Sequence, residues 1–98
     1  MNNKTDMNFG EALELLKQGC YVARKGWNGK NMYLWLLPEI NLNKTWVKDT
    51  KLLKEFGEKE TLLCNGSIRM KCADGSITTG WLASQTDMLA EDWIEVDI

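Results

Sequence analysis

Histidine is absent from all 98 residues, which removes the most frequent general base and proton shuttle of enzymes working near neutral pH. Cysteine is scarce as well. Cys20, Cys64 and Cys72 are odd in number and show no C-x-x-C spacing, and without histidine a four-ligand zinc site would need carboxylates, so neither a metal nor a cofactor is expected. The pattern suits reduced thiols and a cytoplasmic setting. No apolar run approaches the ~18 residues of a membrane span, and no signal peptide is read at the start. Positive charge is in short supply too: the net charge of −2 and pI near 5.1 argue against a sequence-independent DNA or RNA binder, which draws its affinity from neutralising many phosphates. A small anionic ligand stays compatible with that balance. Ser84, Thr86 and the cysteines have no histidine to activate them, and the carboxylates Asp87, Glu91 and Asp92 fall on a helix turn where they serve solubility. Catalytic residues are therefore not expected, and the chain reads as a binding protein and not an enzyme.

Tryptophan, by contrast, is abundant. Five in a chain of 11.2 kDa are more than a small core readily encloses, since a domain this size buries only about 60 to 65% of its unfolded-chain surface. Some indoles are expected to be exposed, or covered by a ligand or a partner subunit. Two tryptophans sit in informative surroundings: Ala23-Arg24-Lys25-Gly26-Trp27-Asn28-Gly29, and Gly80-Trp81-Leu82-Ala83-Ser84-Gln85-Thr86-Asp87. Each places a flat apolar face beside glycine and short polar side chains, the equipment for holding a nucleobase.

The organisation is that of one α+β domain over residues 1–98, a small antiparallel sheet packed on an N-terminal helix. Residues 1–6 are polar and read as disordered. Asn8 can cap a helix with Glu11 completing a capping box, and Phe9, Ala12, Leu13 and Leu16 recur at helical spacing before Gly19. Cys20 to Arg24 reads as a strand entering a turn at Gly26-Trp27-Asn28-Gly29, whose glycines permit a backbone path closed to other residues. Met32 to Leu37 reads as a second strand stopped by Pro38. The stretch 39–65 is weakly patterned, with Asp49 a candidate cap for a short helix carrying Leu52, Leu53 and Phe56. Asn65-Gly66 and Asp74-Gly75 read as tight hairpin turns on either side of an alternating strand, Ser67 to Ala73. After a strand ending around Ala83, Ser84 can cap one helical turn with Asp87 at its third position, and Trp93 to Val96 closes the chain as a strand.

Stacking on Trp27 would contribute about 1 to 3 kcal/mol per base; the competing structural reading is an indole folded back over the core as a lid. Arg24, Lys25 and Lys30 form a local basic cluster able to steer or pair with a pyrophosphate, although for Lys30 a solvated turn is the better account. Ser84, Gln85, Thr86 and Asp87 are explained as a helix cap, which is compatible with binding. Because Asp87 would repel a phosphate, this loop is expected to meet ribose hydroxyls or base edges.

These blocks, in this order, resemble the second type of Thoeris anti-defence protein. The resemblance rests on Asn8 to Leu13, on Val22-Ala23-Arg24-Lys25-Gly26-Trp27-Asn28-Gly29-Lys30, and on Ala73 to Ile77 followed by Gly80 to Trp93; it covers about Met7 to Leu37 and Ile68 to Val96. The first six residues and the stretch 39–65, a variable insertion, lie outside it. It implies a phage-encoded sponge acting in the cytoplasm of the infected bacterial host. Such a protein is a homo-oligomer, a tetramer, that sequesters a cyclic ADP-ribose-type signal such as glycocyclic ADP-ribose and leaves it intact. The resemblance further implies a pocket between subunits in which Trp27 and Trp81 stack on the ligand; Arg24, Asn28, Ser84, Gln85, Thr86 and Asp87 are the candidate ligand-binding residues read around them. Some members are similarly implied to bind cyclic oligonucleotide signals of another defence system. An enzyme that cleaves the signal and a module that docks a protein through its tryptophans are the competing classes.

Overall fold

Asn8 starts the first element of the computed structural model, which describes residues 3–98. Its side chain accepts the Glu11 main-chain N–H at 2.8 Å while the Glu11 carboxylate accepts the Asn8 N–H at 3.0 Å. That reciprocal capping box opens α1 (Phe9–Lys17), and Gly19, at φ +91°, lets the chain leave the helix just past its cap at Gln18. The chain continues through β1 (Tyr21–Arg24), β2 (Tyr33–Leu37), β3 (Ile40–Asn43), a 3-10 turn (Lys44–Trp46), α2 (Thr50–Phe56), β4 (Thr61–Cys64), β5 (Ser67–Lys71), β6 (Ile77–Thr79), α3 (Gln85–Leu89) and β7 (Trp93–Val96).

Five strands form one antiparallel sheet in the order β6-β5-β2-β1-β7, and β3 pairs with β4 in a separate two-stranded ribbon. The α+β architecture expected of the sequence is the one observed. In the register, Val22 stands opposite Leu34 and Leu34 opposite Met70. Together with Ala12, Leu15 and Leu16 of α1, Met7 and Trp93, they make the buried core. Residues one step out of phase, Tyr21, Ala23, Tyr33, Trp35, Ile94 and Val96, point to the other face. There Tyr21, Tyr33 and Trp35 meet one another with ring centroids 5.4 to 6.2 Å apart.

Several expectations need correcting. Part of the segment 1–6 read as disordered, its first two residues, lies outside the described residues; the remainder runs along β7. Glu95 donates its N–H to the Lys4 carbonyl at 2.9 Å, and Met7 and Trp93 exchange two main-chain bonds. An edge strand offers a row of unpaired backbone groups, and this segment covers them. Asn65-Gly66 is not a hairpin turn. It joins β4 to β5 where the long two-stranded path of β2–β3 and β4–β5 bends at Pro38, and a Cβ on Gly66 would lie 2.9 Å from the Leu37 carbonyl oxygen. Glycine is needed there for close approach. Asp74-Gly75 does turn a hairpin, with Gly75 at φ +92° and the Asp74 carboxylate accepting both the N–H and the hydroxyl of Ser76. The strand expected to reach Ala83 stops at Thr79, because Gly80 at φ +85° swings the chain so that the N–H groups of Gly80 and Trp81 both donate to the Ile68 carbonyl.

The stretch 39–65 folds as an arm. Asp49 caps α2 through the N–H groups of Lys51 and Leu52, α2 packs on β4, and Phe56 is buried outside the main core. With this arm the molecule measures 48 × 27 × 26 Å and has a radius of gyration of 16.1 Å, against about 13 Å for a compact chain of this length.

Candidate functional site

Three indoles meet at one end of the sheet. Trp93 opens β7 with no exposed surface, and Trp27 and Trp81, both half-buried, come to it from the loops after β1 and β6. Ring centroids lie 5.5 Å apart for Trp27 and Trp93, 6.3 Å for Trp27 and Trp81, and 6.4 Å for Trp81 and Trp93, with planes 69 to 80° to one another. Edge-to-face contact of this kind sets the positive rim of one ring against the negative face of the next.

One residue ties two of these indoles, Trp27 and Trp93, to the start of α3. Asp87 is the third residue of the α3 cap: its N–H donates to the Ser84 hydroxyl at 3.0 Å, and its Oδ2 accepts the Ser84 N–H at 3.3 Å. The same carboxylate, through Oδ1, accepts Arg24 Nη1 at 2.8 Å and the Trp27 indole N–H at 3.2 Å, while the Asp87 main-chain carbonyl accepts the Trp93 indole N–H at 3.0 Å. Arg24 bonds Asp92 as well, Nε to Oδ1 at 2.8 Å, and Asp92 Oδ2 accepts the Gly26 N–H at 2.8 Å. A Cβ on Gly26 would stand 2.7 Å from that Oδ2. The glycines around Trp27 therefore serve a different end from the one expected. Neither Gly26 nor Gly29 has a positive φ; Asn31 has, at +61°, and the glycines supply room.

These contacts set the local electrostatics. Burial pushes the Asp87 carboxyl up, but the bonds from Arg24, Trp27 and Ser84 together outweigh it and hold the group below its ordinary value. Asp92 is lowered chiefly by its bond from Arg24. The Arg24 guanidinium is raised, first by Asp92 and then by Asp87. With side chains only 14% and 13% exposed, Arg24 and Asp87 form a desolvated ion pair, and the arginine's charge is matched by two carboxylates. Lys25 keeps an exposed ammonium 3.8 Å from Asp6.

Trp27 also walls a groove of about 360 Å³ on the face of the sheet opposite α1, with Ala23, Arg24, Lys25, Asn31, Tyr33 and Ile94 among its other walls. This volume falls in the ~300 to 1,000 Å³ range of small-molecule sites.

The fold thus brings together five of the residues singled out from the sequence: Arg24, Trp27, Trp81, Ser84 and Asp87. Asn28, Gln85 and Thr86 are exposed around them. Tyr33 and Asn31 in the groove, and Asp92 in the ion-pair network, were not among the residues singled out for binding. The Val-Ala-Arg strand next to a terminal Trp-Ile-Glu-Val strand was the available hint for Asp92, since pairing the two sets it beside Gly26.

The arrangement is that of a small α+β domain with a cluster of three tryptophans at the end of its sheet. Residues 7–96 match the family described as Thoeris anti-defense 2-like domain. A relative, "Thoeris anti-defense 2" of Bacillus phage SP01, is 49% identical over 92 residues, covering 92% of this chain and 94% of that protein. The chain belongs to the Thoeris anti-defense 2-like family. Among its described residues no helix is long and apolar enough to cross a membrane.

Proposed function

We propose that this chain blocks Thoeris defence as a sponge: it binds a cyclic ADP-ribose-type immune signal, glycocyclic ADP-ribose, and withholds it uncleaved from the effector. The observation that carries this reading is the tryptophan cluster, in which Trp27 and Trp81 remain half-exposed and Trp27 also walls a groove of ligand size. Bases and aromatic faces stack whatever the sequence around them, contributing about 1 to 3 kcal/mol each. Asn28, Gln85 and Thr86 stand at the rim for ribose hydroxyls or base edges, and Arg24, Ser84 and Asp87 build the frame. The chain has no histidine, and burial, then the charge of Glu95, pushes the Cys20 thiol up, away from the reactive thiolate. Both facts support binding without turnover.

A homo-oligomer, a tetramer, completes the site in this reading. Leu82 and Leu89 are 88% and 79% exposed next to Trp81 and at the end of α3, and the aromatic face of Tyr21, Tyr33 and Trp35 lies away from α1. Apolar surface of this extent on a small protein marks an interaction site. The partners are then the signal and further copies of the chain, in the cytoplasm of the infected host, with no role for nucleic acid or membrane.

Incubating the purified protein with cyclic ADP-ribose-type and cyclic oligonucleotide signals, isolating the bound fraction and heating it tests the proposal. Recovery of an intact ADP-ribose-type signal supports it. Recovery of a cyclic oligonucleotide alone would reassign the ligand class, and cleaved product or no bound nucleotide would contradict the reading.

A further inference from the structure

We propose that Asp87 is a positioning residue: it latches the Trp27 indole in the orientation a ligand meets and serves the site from behind the stacking surface, outside the groove's walls, without touching the ligand. The inference rests on Trp27 being that surface. An indole carries a single N–H donor, and Trp27 gives its own to Asp87 Oδ1 at 3.2 Å. A bound nucleotide then meets the face and edge of the ring and never its donor. The loop is held at both ends, because Asp92 Oδ2 fixes the Gly26 N–H while Asp87 fixes the ring. Arg24 joins the two carboxylates, 2.8 Å from each, so both latches are set by one guanidinium fork.

The inventory of partners leaves little for a ligand. Asp87 Oδ1 already takes two donors and Oδ2 one, in a side chain 13% exposed, and the Arg24 charge is spent on two aspartates. A phosphate would also be repelled by this group of two carboxylates around one arginine. The latch reading uses the carboxylate without that conflict.

Two measurements test it. With ¹⁵N-labelled tryptophan, the indole N–H resonance missing from W27F identifies Trp27. D87E keeps the charge toward Arg24 and the acid favoured at this cap position but displaces the oxygen by a methylene, and D87N removes the charge. Both are expected to shift the Trp27 resonance in the free protein while the other indole resonances that report folding stay in place. Binding of glycocyclic ADP-ribose is then measured in a double-mutant cycle. D87E and D87N each weaken binding about tenfold in the wild-type background and have little further effect in W27F, because their action passes through the Trp27 donor. An equal loss in both backgrounds would mean that Asp87 contacts the ligand directly and would overturn the proposal. So would an unmoved Trp27 resonance in folded D87E. Failure of the wild-type protein to bind the probe would sink the sponge reading instead and leave the latch to be decided by the resonance alone.

Discussion

At the residue scale, a side chain placed next to an indole by sequence takes its meaning from what lies 60 residues away. Trp27, Trp81 and Trp93 are all glycine- or acid-flanked in the sequence, yet Trp93 is buried without exposure and the other two are half-exposed. Replacing Trp93 by alanine is expected to cost about 3 to 5 kcal/mol of stability through the cavity it leaves. Trp27→Ala and Trp81→Ala are expected to keep a cooperative melt and to lose about 1 to 3 kcal/mol of nucleotide binding. Calorimetric melting beside ligand titration separates the two outcomes, and a normal melt for Trp93→Ala would reverse the assigned roles. The acid limb of stability belongs to this scale too. Because Asp87 and Asp92 are held below their ordinary values in the folded protein, the unfolded chain takes up protons first. Their contribution is complete above the unfolded carboxyl range near ~4 and is lost as pH falls through the folded values. The melting temperature should stay level from about pH 7 to 5 and drop below about 4, and the drop should be shallower in D87N/D92N. Arg24 was legible as a cation near Trp27, but its pairing was not: its partners lie 63 and 68 positions away, beyond any local pattern.

At the element scale, caps were the most readable feature. Asn8, Asp49 and Ser84 each start the helix their side chains announced, because a cap is decided within four residues. Ser84→Ala should cost about 1 kcal/mol, visible in thermal melts, and should loosen the start of α3 on which Asp87 sits. Asn65-Gly66 misled for an equally physical reason: the dipeptide favours a tight turn, but what the chain needs at that point is a glycine without a Cβ beside Leu37 and Pro38. The arm it belongs to carries Phe56 as a buried residue of its own and contributes none of the residues of the main core. Joining Leu37 to Ser67 through a two-residue Asn-Gly turn in place of 38–66 is therefore expected to leave the five-stranded sheet and a cooperative melt intact. Loss of folding would show that the arm stabilises the sheet after all.

At the scale of the whole molecule, the shortage of enclosed volume becomes the controlling fact. A chain of 98 residues whose longest dimension is 48 Å leaves Leu82, Leu89 and Trp46 in water, and a second copy is the cheapest cover for such surface. Light scattering at micromolar concentration should give a mass well above 11.2 kDa; a strict monomer that still binds ligand tightly would count against subunit-built pockets. The sequence carried the composition behind this expectation, whereas the face of Tyr21, Tyr33 and Trp35 emerged only once the strand register was known. The central claim, capture without turnover, is tested most directly by titrating the protein against a fixed amount of glycocyclic ADP-ribose with a signal-activated effector as readout. Where Kd lies far below the signal concentration, effector activity should fall linearly to a sharp stoichiometric end point and return when the mixture is heated. Substoichiometric protein that abolishes the signal over time, with nothing recovered on heating, would contradict it.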